Sequence, residues 1–185
     1  MLMVFGGEGK GKTSAALGTV LRFVCAGGKA AWISWYKSDE WSISEKEAEK
    51  LLPNLRMYWF GKGFYFRDQD TGNRKRVGKA NVYDNAEKRE HEVEARMALE
   101  KVKDVLEKDE AELVVMDEVL NAVADGLIDL IDLIDLISNR GRTHLVLTGR
   151  KIPKEIVQIA DMVSEIKKIK HPFDKGQLAV KGIDF

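Results

Sequence analysis

Leu2-Met-Val-Phe-Gly-Gly-Glu-Gly-Lys-Gly-Lys-Thr-Ser14 passes from an apolar run through a glycine-rich turn into a helix-forming run. Gly6, followed after four residues by Gly11-Lys12-Thr13, fits the phosphate-loop template G-x-x-x-x-G-K-[ST] in full. Each part has a physical job. Glycine backbone without Cβ atoms can wrap a phosphate so that successive N–H groups converge on its oxygens. The helix that follows points its N-terminus, with unpaired N–H groups and partial positive charge, at the same place. Lys12 is then placed to span the outer phosphates, and the Thr13 hydroxyl to meet a divalent cation such as Mg2+ or Mn2+. Gly7, Glu8, Gly9, Lys10, Gly11, Lys12, Thr13 and Ser14 are thus the candidate ATP-binding residues of the loop.

The chain has 185 residues, enough for one domain over 1–185 that buries roughly 70% of its unfolded surface without disulfides. Lys plus Arg is 30 and Asp plus Glu is 30. With no net field to hold nucleic acid or an anionic membrane, any charged ligand must be met locally. The single cysteine, Cys25, can form no internal disulfide and fits a cytoplasmic setting; its apolar helix makes it a small core residue. No apolar run reaches the ~20 residues of a membrane span, and no signal segment precedes the loop.

Along the chain, strands and helices alternate. Ser14 to Ala26 reads as a helix ended by Gly27-Gly28, and Ala30 to Tyr36 as a buried strand that ends on Lys37. Ser44-x-x-Glu47 reads as a capping box, and Leu55 to Phe60 as a strand. Gly61 to Tyr83, with Arg67, Arg74, Lys75, Arg76 and Lys79, reads as a long basic loop. A charged helix over about Asp84 to Lys108 leads to the apolar strand Leu113 to Met116, which delivers Asp117-Glu118 at its carboxyl end. A second acid of a phosphate site belongs there.

Leu127 to Ile137 repeats Leu-Ile-Asp; at 100° per residue Asp129, Asp132 and Asp135 form a solvated stripe rather than a metal array. Thr143 to Thr148 is a strand before Gly149-Arg150, Pro153 to Ala160 a helix, and Met162 to Ile169 a last strand. This alternation predicts an α/β fold with about six mainly parallel strands and helices on both faces. Ligands of such sheets sit beyond the strand carboxyl ends, so the loop, Lys37, Asp117-Glu118, Gly149-Arg150 and Lys170-His171 share one rim. His91 and His144 carry little signal of their own.

Gly7-Glu-Gly-Lys-Gly-Lys-Thr-Ser14 resembles the G-N-G-K-G-K-T-T loop of the ATP:corrinoid adenosyltransferases. Arg22 lies where that family has a first-helix arginine, Tyr36-Lys37 looks like its strand-end lysine, and Val115 to Ala122 and Leu147-Thr-Gly-Arg150 are similar to its later motifs. Lys170-His-Pro-Phe-Asp-Lys-Gly176 and Lys181-Gly-Ile-Asp-Phe185 resemble its closing signature. Gly61-Lys-Gly-Phe-Tyr-Phe66 resembles its G-x-G-F-T-W, with Phe66 in place of tryptophan, and Glu8 replaces the loop asparagine.

The resemblance implies a RecA-like, usually dimeric enzyme that moves the adenosyl group of ATP to Co(I) of a corrinoid and releases triphosphate. It implies ATP contacts for Arg22 and Lys37, corrinoid contacts for Phe64, Phe66 and Arg150, and an external electron donor for the cobalt. Lys12, Thr13 and Glu118 would be catalytic, and Thr13, Glu118 and Asp117 would hold the metal. Two other readings of the loop are an ATPase or kinase cleaving the γ-phosphate, and an ATP-binding module without chemistry.

Overall fold

The computed structural model describes residues 1–38, 41, 43–63, 65, 74–77, 80–84, 86–177 and 179–183, with backbone alone at 74–77, 80–83 and 173. Six strands, β1 (Leu2–Gly6), β2 (Ala30–Ser34), β3 (Leu55–Trp59), β6 (Leu113–Asp117), β7 (His144–Gly149) and β8 (Met162–Glu165), form one parallel sheet. Their spatial order is β3-β2-β6-β7-β1-β8, so β7 lies between the loop strand β1 and the acid strand β6. This is the six-stranded parallel α/β sheet that the alternation predicts, and it is consistent with the RecA-like fold that the resemblance implies.

Burial on both faces explains the apolar strands. On β6, Leu113 and Val115 pack in one core with Ala16, Val20 and Val24 of α1 (Lys12–Cys25). Val114 and Met116 pack in the other with Ala95, Ala98, Val102 and Val105 of α3 (Lys88–Glu107). That second core also holds Val119 and Leu120 of α4 (Val119–Ala124) and Leu133, Leu136 and Ile137 of α5 (Leu130–Ser138). The α5 repeat leaves Asp129, Asp132 and Asp135 exposed, and no group of three or more metal-ligating side chains occurs among the described residues.

Several local expectations give way. Cys25 is exposed, because it falls at the last turn of α1 off the Ala16/Val20/Val24 stripe. Ser44–Glu47 is a 3-10 turn leading into α2 (Ala48–Leu51), and Ser44 lies inside the turn, with Ile43 at the cap position and no side-chain cap bond. A capping box forms at α3 instead, where Glu87 and Glu90 exchange bonds with each other's backbone N–H. The basic stretch contains an antiparallel hairpin, β4 (Arg74–Val77) with β5 (Ala80–Tyr83), apart from the main sheet. The run Arg-Lys-Arg of β4 gives no apolar alternation by which a strand could be read from the sequence. β8 ends at Glu165, where the chain turns to back the phosphate loop, and α6 spans Lys154–Ile159 after Pro153.

Candidate functional site

The glycine loop is pinned from behind. Gly9 N–H donates to Ile166 O at 2.7 Å, Ile166 N–H to Gly6 O at 2.7 Å, and Gly7 N–H to Arg150 O at 3.0 Å. A Cβ at Gly9 would lie 2.7 Å from Ile166 O and 2.8 Å from Lys167 O, so the close approach admits glycine alone. Lys12 reaches across the loop and donates to Gly7 O and Gly9 O, both at 2.8 Å. Burial, and then the charge of Arg150, lower the Lys12 pKa from its ordinary value. Its ammonium is therefore poorly compensated, and an anion would relieve it. Glu8, Lys10 and Ser14 are exposed around this loop.

Asp117, at the end of β6, is wholly buried and accepts four hydrogen bonds. Thr13 Oγ1 donates to Oδ1 at 3.1 Å and Thr148 Oγ1 donates to the same atom at 2.7 Å. Ser34 Oγ donates to Oδ2 at 3.2 Å, beside Lys37 Nζ at 2.9 Å. Sheet order dictates this set: Ser34 is in register with Asp117 across β2 and β6, and β7 carries Thr148 between β6 and β1. Lys37 also donates to Glu45 Oε1 at 3.0 Å, and despite its burial the charge of Asp117 raises its pKa. Thus Lys37 stands at the rim as expected, bound to two carboxylates.

Glu118 follows with φ 65, a left-handed conformation uncommon outside glycine, and its N–H donates to Thr148 Oγ1 at 2.8 Å. Burial and the neighbouring Asp117 push the Glu118 pKa up to about 7, against the pull of Lys37, Arg150 and Lys12. Arg150 is exposed beside this group, its N–H held by Asn121 Oδ1 at 2.8 Å. Tyr36 also has φ 65, and its hydroxyl donates to Asp125 Oδ2 at 2.7 Å. Strained backbone of this sort gathers at functional sites.

Beside Tyr36 begins the segment that resembles the aromatic motif. Gly61 lies so close that a Cβ there would be 2.5 Å from the Tyr36 backbone. Trp35, Tyr36, Phe60, Gly61, His91, Glu94, Ala95 and Leu127 line a small cavity at this end of the sheet. Tyr65 packs inward on the core, whereas Phe64 and Phe66 lie outside the described residues. Arg22 is exposed in the last turn of α1, ten residues or about 15 Å along the helix from Lys12.

The geometry therefore joins Gly7 to Thr13, Lys37, Asp117, Glu118 and Arg150 at one rim and leaves Arg22 at the far end of α1. Across that whole frame, the family model described as ATP:corrinoid adenosyltransferase BtuR/CobO/CobP matches residues 1–185. The chain belongs to this family. It is 32% identical over 188 residues to the corrinoid adenosyltransferase CobA of Salmonella typhimurium, covering 100% of this chain and 85% of that protein. The corrinoid adenosyltransferases of Escherichia coli K12 and Sinorhizobium are each 29% identical over 100% of this chain, and over 85% and 80% of their own lengths. As a family member, this adenosyltransferase is an ATP-dependent enzyme acting on corrinoids, and the ATPase, kinase and binding-only readings are not favoured.

Sequence reasoning passed over Ser34 and took Asn121 and Thr148 only as parts of motifs. A hydroxyl residue ending an otherwise apolar run, as in Ala-Ala-Trp-Ile-Ser34 and Leu-Val-Leu-Thr148, was the available signal.

Proposed function

We propose that this adenosyltransferase passes the 5′-deoxyadenosyl group of ATP to Co(I) of cobalamin or a corrinoid precursor in one displacement. The observation that supports this is the bonded set Thr13–Asp117–Thr148, which ties the acid strand to the helix that opens with the Lys12 of the phosphate loop. The cobalt lone pair forms the Co–C5′ bond as the C5′–O bond breaks, and triphosphate leaves with that electron pair. Cobalt rises formally from I to III, so the step needs no other oxidant. Charge grows on the oxygen leaving C5′, and Lys12 with the loop N–H groups is the set that can stabilise it. Co(I) is itself the nucleophile, so no general base is required.

Oxygen donors around Thr13 suit Mg2+ or Mn2+, which bind one or two protein groups and complete their shell with phosphates and water. We assign Thr13 and Asp117, which are already bonded to each other, and Glu118 beside them to that ion. When bound, it would neutralise phosphate charge. Gly7 to Ser14 hold the triphosphate; Lys37, bonded to Asp117 Oδ2, keeps that carboxylate oriented until nucleotide arrives. Arg22 would meet ATP only as part of a larger assembly, such as the homodimer that the family resemblance suggests. Corrinoid contacts fall to Phe64, Phe66 and Arg150 in this reading, as the resemblance implies. An external donor reduces the cobalt, and a cytoplasmic, reducing setting suits it; no described helix is long and apolar enough to cross a membrane.

The test is incubation with ATP, magnesium and chemically reduced cobalamin. Absorbance should report Co–C bond formation, and phosphorus NMR should show inorganic triphosphate in equal amount. ADP and orthophosphate as the corrinoid-stimulated products would overturn the proposal.

A further inference from the structure

The strongest feature outside the phosphate half is a buried ionisable pair that the transfer reaction does not use. His91, in the first turn of α3, places Nε2 2.9 Å from Asp84 Oδ1, with 2% and 6% of the two side chains exposed. Asp84 Oδ1 also accepts the Ala86 N–H at 3.2 Å, which fixes the carboxylate at the entry to α3. On the other side, the Tyr65 ring lies against the imidazole, centroids 5.0 Å apart and planes tilted by 58°. One turn on, Glu94 Oε2 accepts the Gly61 N–H at 3.2 Å and Glu94 Oε1 lies 3.3 Å from Lys62 Nζ.

These contacts have a common topology. His91 and Glu94 are three apart on one helix and share a face. That face holds Gly61, Lys62 and Tyr65, the described residues around the motif Gly61-Lys-Gly-Phe-Tyr-Phe66. Asp84 is where the chain comes back after residues 66–83, whose β4–β5 pairing brings Tyr83 opposite Arg74. The chain thus leaves past Tyr65 and returns at Asp84, and both ends of the excursion meet on one imidazole.

We propose that His91 is a positioning residue for the corrinoid. By clasping Tyr65 to Asp84 it holds Tyr65, the middle residue of the aromatic part of that motif, against α3. This rests on the corrinoid reading of residues 64–66 given above. His91 touches no substrate itself; it acts through Tyr65. Without the clasp, Tyr65 loses its contact on α3 while the phosphate loop, bonded to the residues that follow β7 and β8, keeps its own.

Tryptophan fluorescence and calorimetry, with cob(II)alamin and ATP titrated separately, test this without requiring turnover. In His91→Ala, cob(II)alamin affinity should fall at least tenfold while ATP affinity stays within twofold. Gln at 91 can present an amide N–H to Asp84, so His91→Gln should recover most of the corrinoid affinity. Tyr65→Leu, which leaves the buried pair intact, should lose corrinoid affinity as His91→Ala does, and it carries the test if His91→Ala fails to fold. Unchanged corrinoid affinity in Tyr65→Leu, or equal losses for ATP and corrinoid, would overturn the assignment. A wild-type chain that takes up no cob(II)alamin would overturn the functional reading as well, whereas variants that bind as tightly as a competent wild type overturn this assignment alone.

Discussion

Asp117 and His91 are both buried polar side chains near the carboxyl rim, yet their partners come from different distances along the chain. Asp117 is held by Thr13, Ser34, Lys37 and Thr148, so its bonds exist only once β1, β2, β6 and β7 are side by side. His91 is held by Asp84, seven residues earlier, and by Tyr65 in the preceding segment. The first group reports on the whole sheet, and the second on a local excursion fastened to one helix. Damage at the phosphate half should therefore spread through the fold, and damage at the aromatic half should stay with one ligand.

The largest expected effect is at Asp117. In Asp117→Ala, Lys37 and the Thr148 and Ser34 hydroxyls lose their buried acceptor, and breaking such a pair costs about 3–5 kcal/mol. Denaturant unfolding should register that loss, and adenosyl transfer should disappear with it. A stable, active Asp117→Ala would mean that the four bonds do not tie the strands together.

Lys12→Ala comes next and sharpens the same contrast, because its two bonds stay within the loop. Transfer should slow by about 10²–10³, equivalent to about 3–4 kcal/mol of transition-state stabilisation. The unfolding midpoint should move far less than in Asp117→Ala. Comparable stability losses would show that the loop, too, is a structural hub.

How far each half could be read from the sequence follows from the same difference. Gly6 to Thr13 and Asp117-Glu118 are contiguous motifs at strand ends, and parallel α/β order places strand ends on one rim, so both were legible. Thr148 and Ser34 needed the strand order, because only β7 lying between β1 and β6 makes Thr148 a neighbour of both Thr13 and Asp117. The β4–β5 hairpin escaped because its sequence, Arg-Lys-Arg-Val77 and Ala-Asn-Val-Tyr83, carries no two-residue hydrophobic alternation over both strands. His91 looked like one more polar residue on a charged helix; its burial depends on the return of the chain at Asp84. Cys25 erred the other way, since an apolar helix still exposes its far side.

The third effect depends on pH. Glu118 has a folded pKa of about 7 against an ordinary 4.5, so between those values the folded chain binds its proton more firmly than the unfolded one. Stability contributed by this site must then fall as pH rises through that window, and Gln at 118 has no proton to lose. In metal-free buffer, Glu118→Gln should gain on the wild type from pH 5 to pH 7.5 by on the order of 2 kcal/mol. A difference constant across that range would mean that Glu118 ionises freely, with Lys37, Arg150 and Lys12 outweighing its burial.

Tyr36→Phe should have the smallest effect, and it falls on the seam between the two halves. The Tyr36 hydroxyl donates to Asp125, which caps the end of α4 as Glu118 caps its start, while its backbone is pressed against Gly61. Burial and the Asp125 carboxylate raise the phenol pKa, so the group stays a neutral donor at any working pH. Removing it deletes one hydrogen bond to a partly exposed acceptor, a loss of about 1 kcal/mol. The aromatic ring and the backbone contact with Gly61 remain, so both ligand affinities and the transfer rate should stay within about fivefold, by the arithmetic of one lost bond. Thermal unfolding and single-turnover transfer measured on the same preparation check both. If transfer falls a hundredfold while stability holds, the hydroxyl takes part in the reaction; if corrinoid and ATP affinities fall together, Tyr36 couples the halves that the bonding pattern otherwise keeps apart.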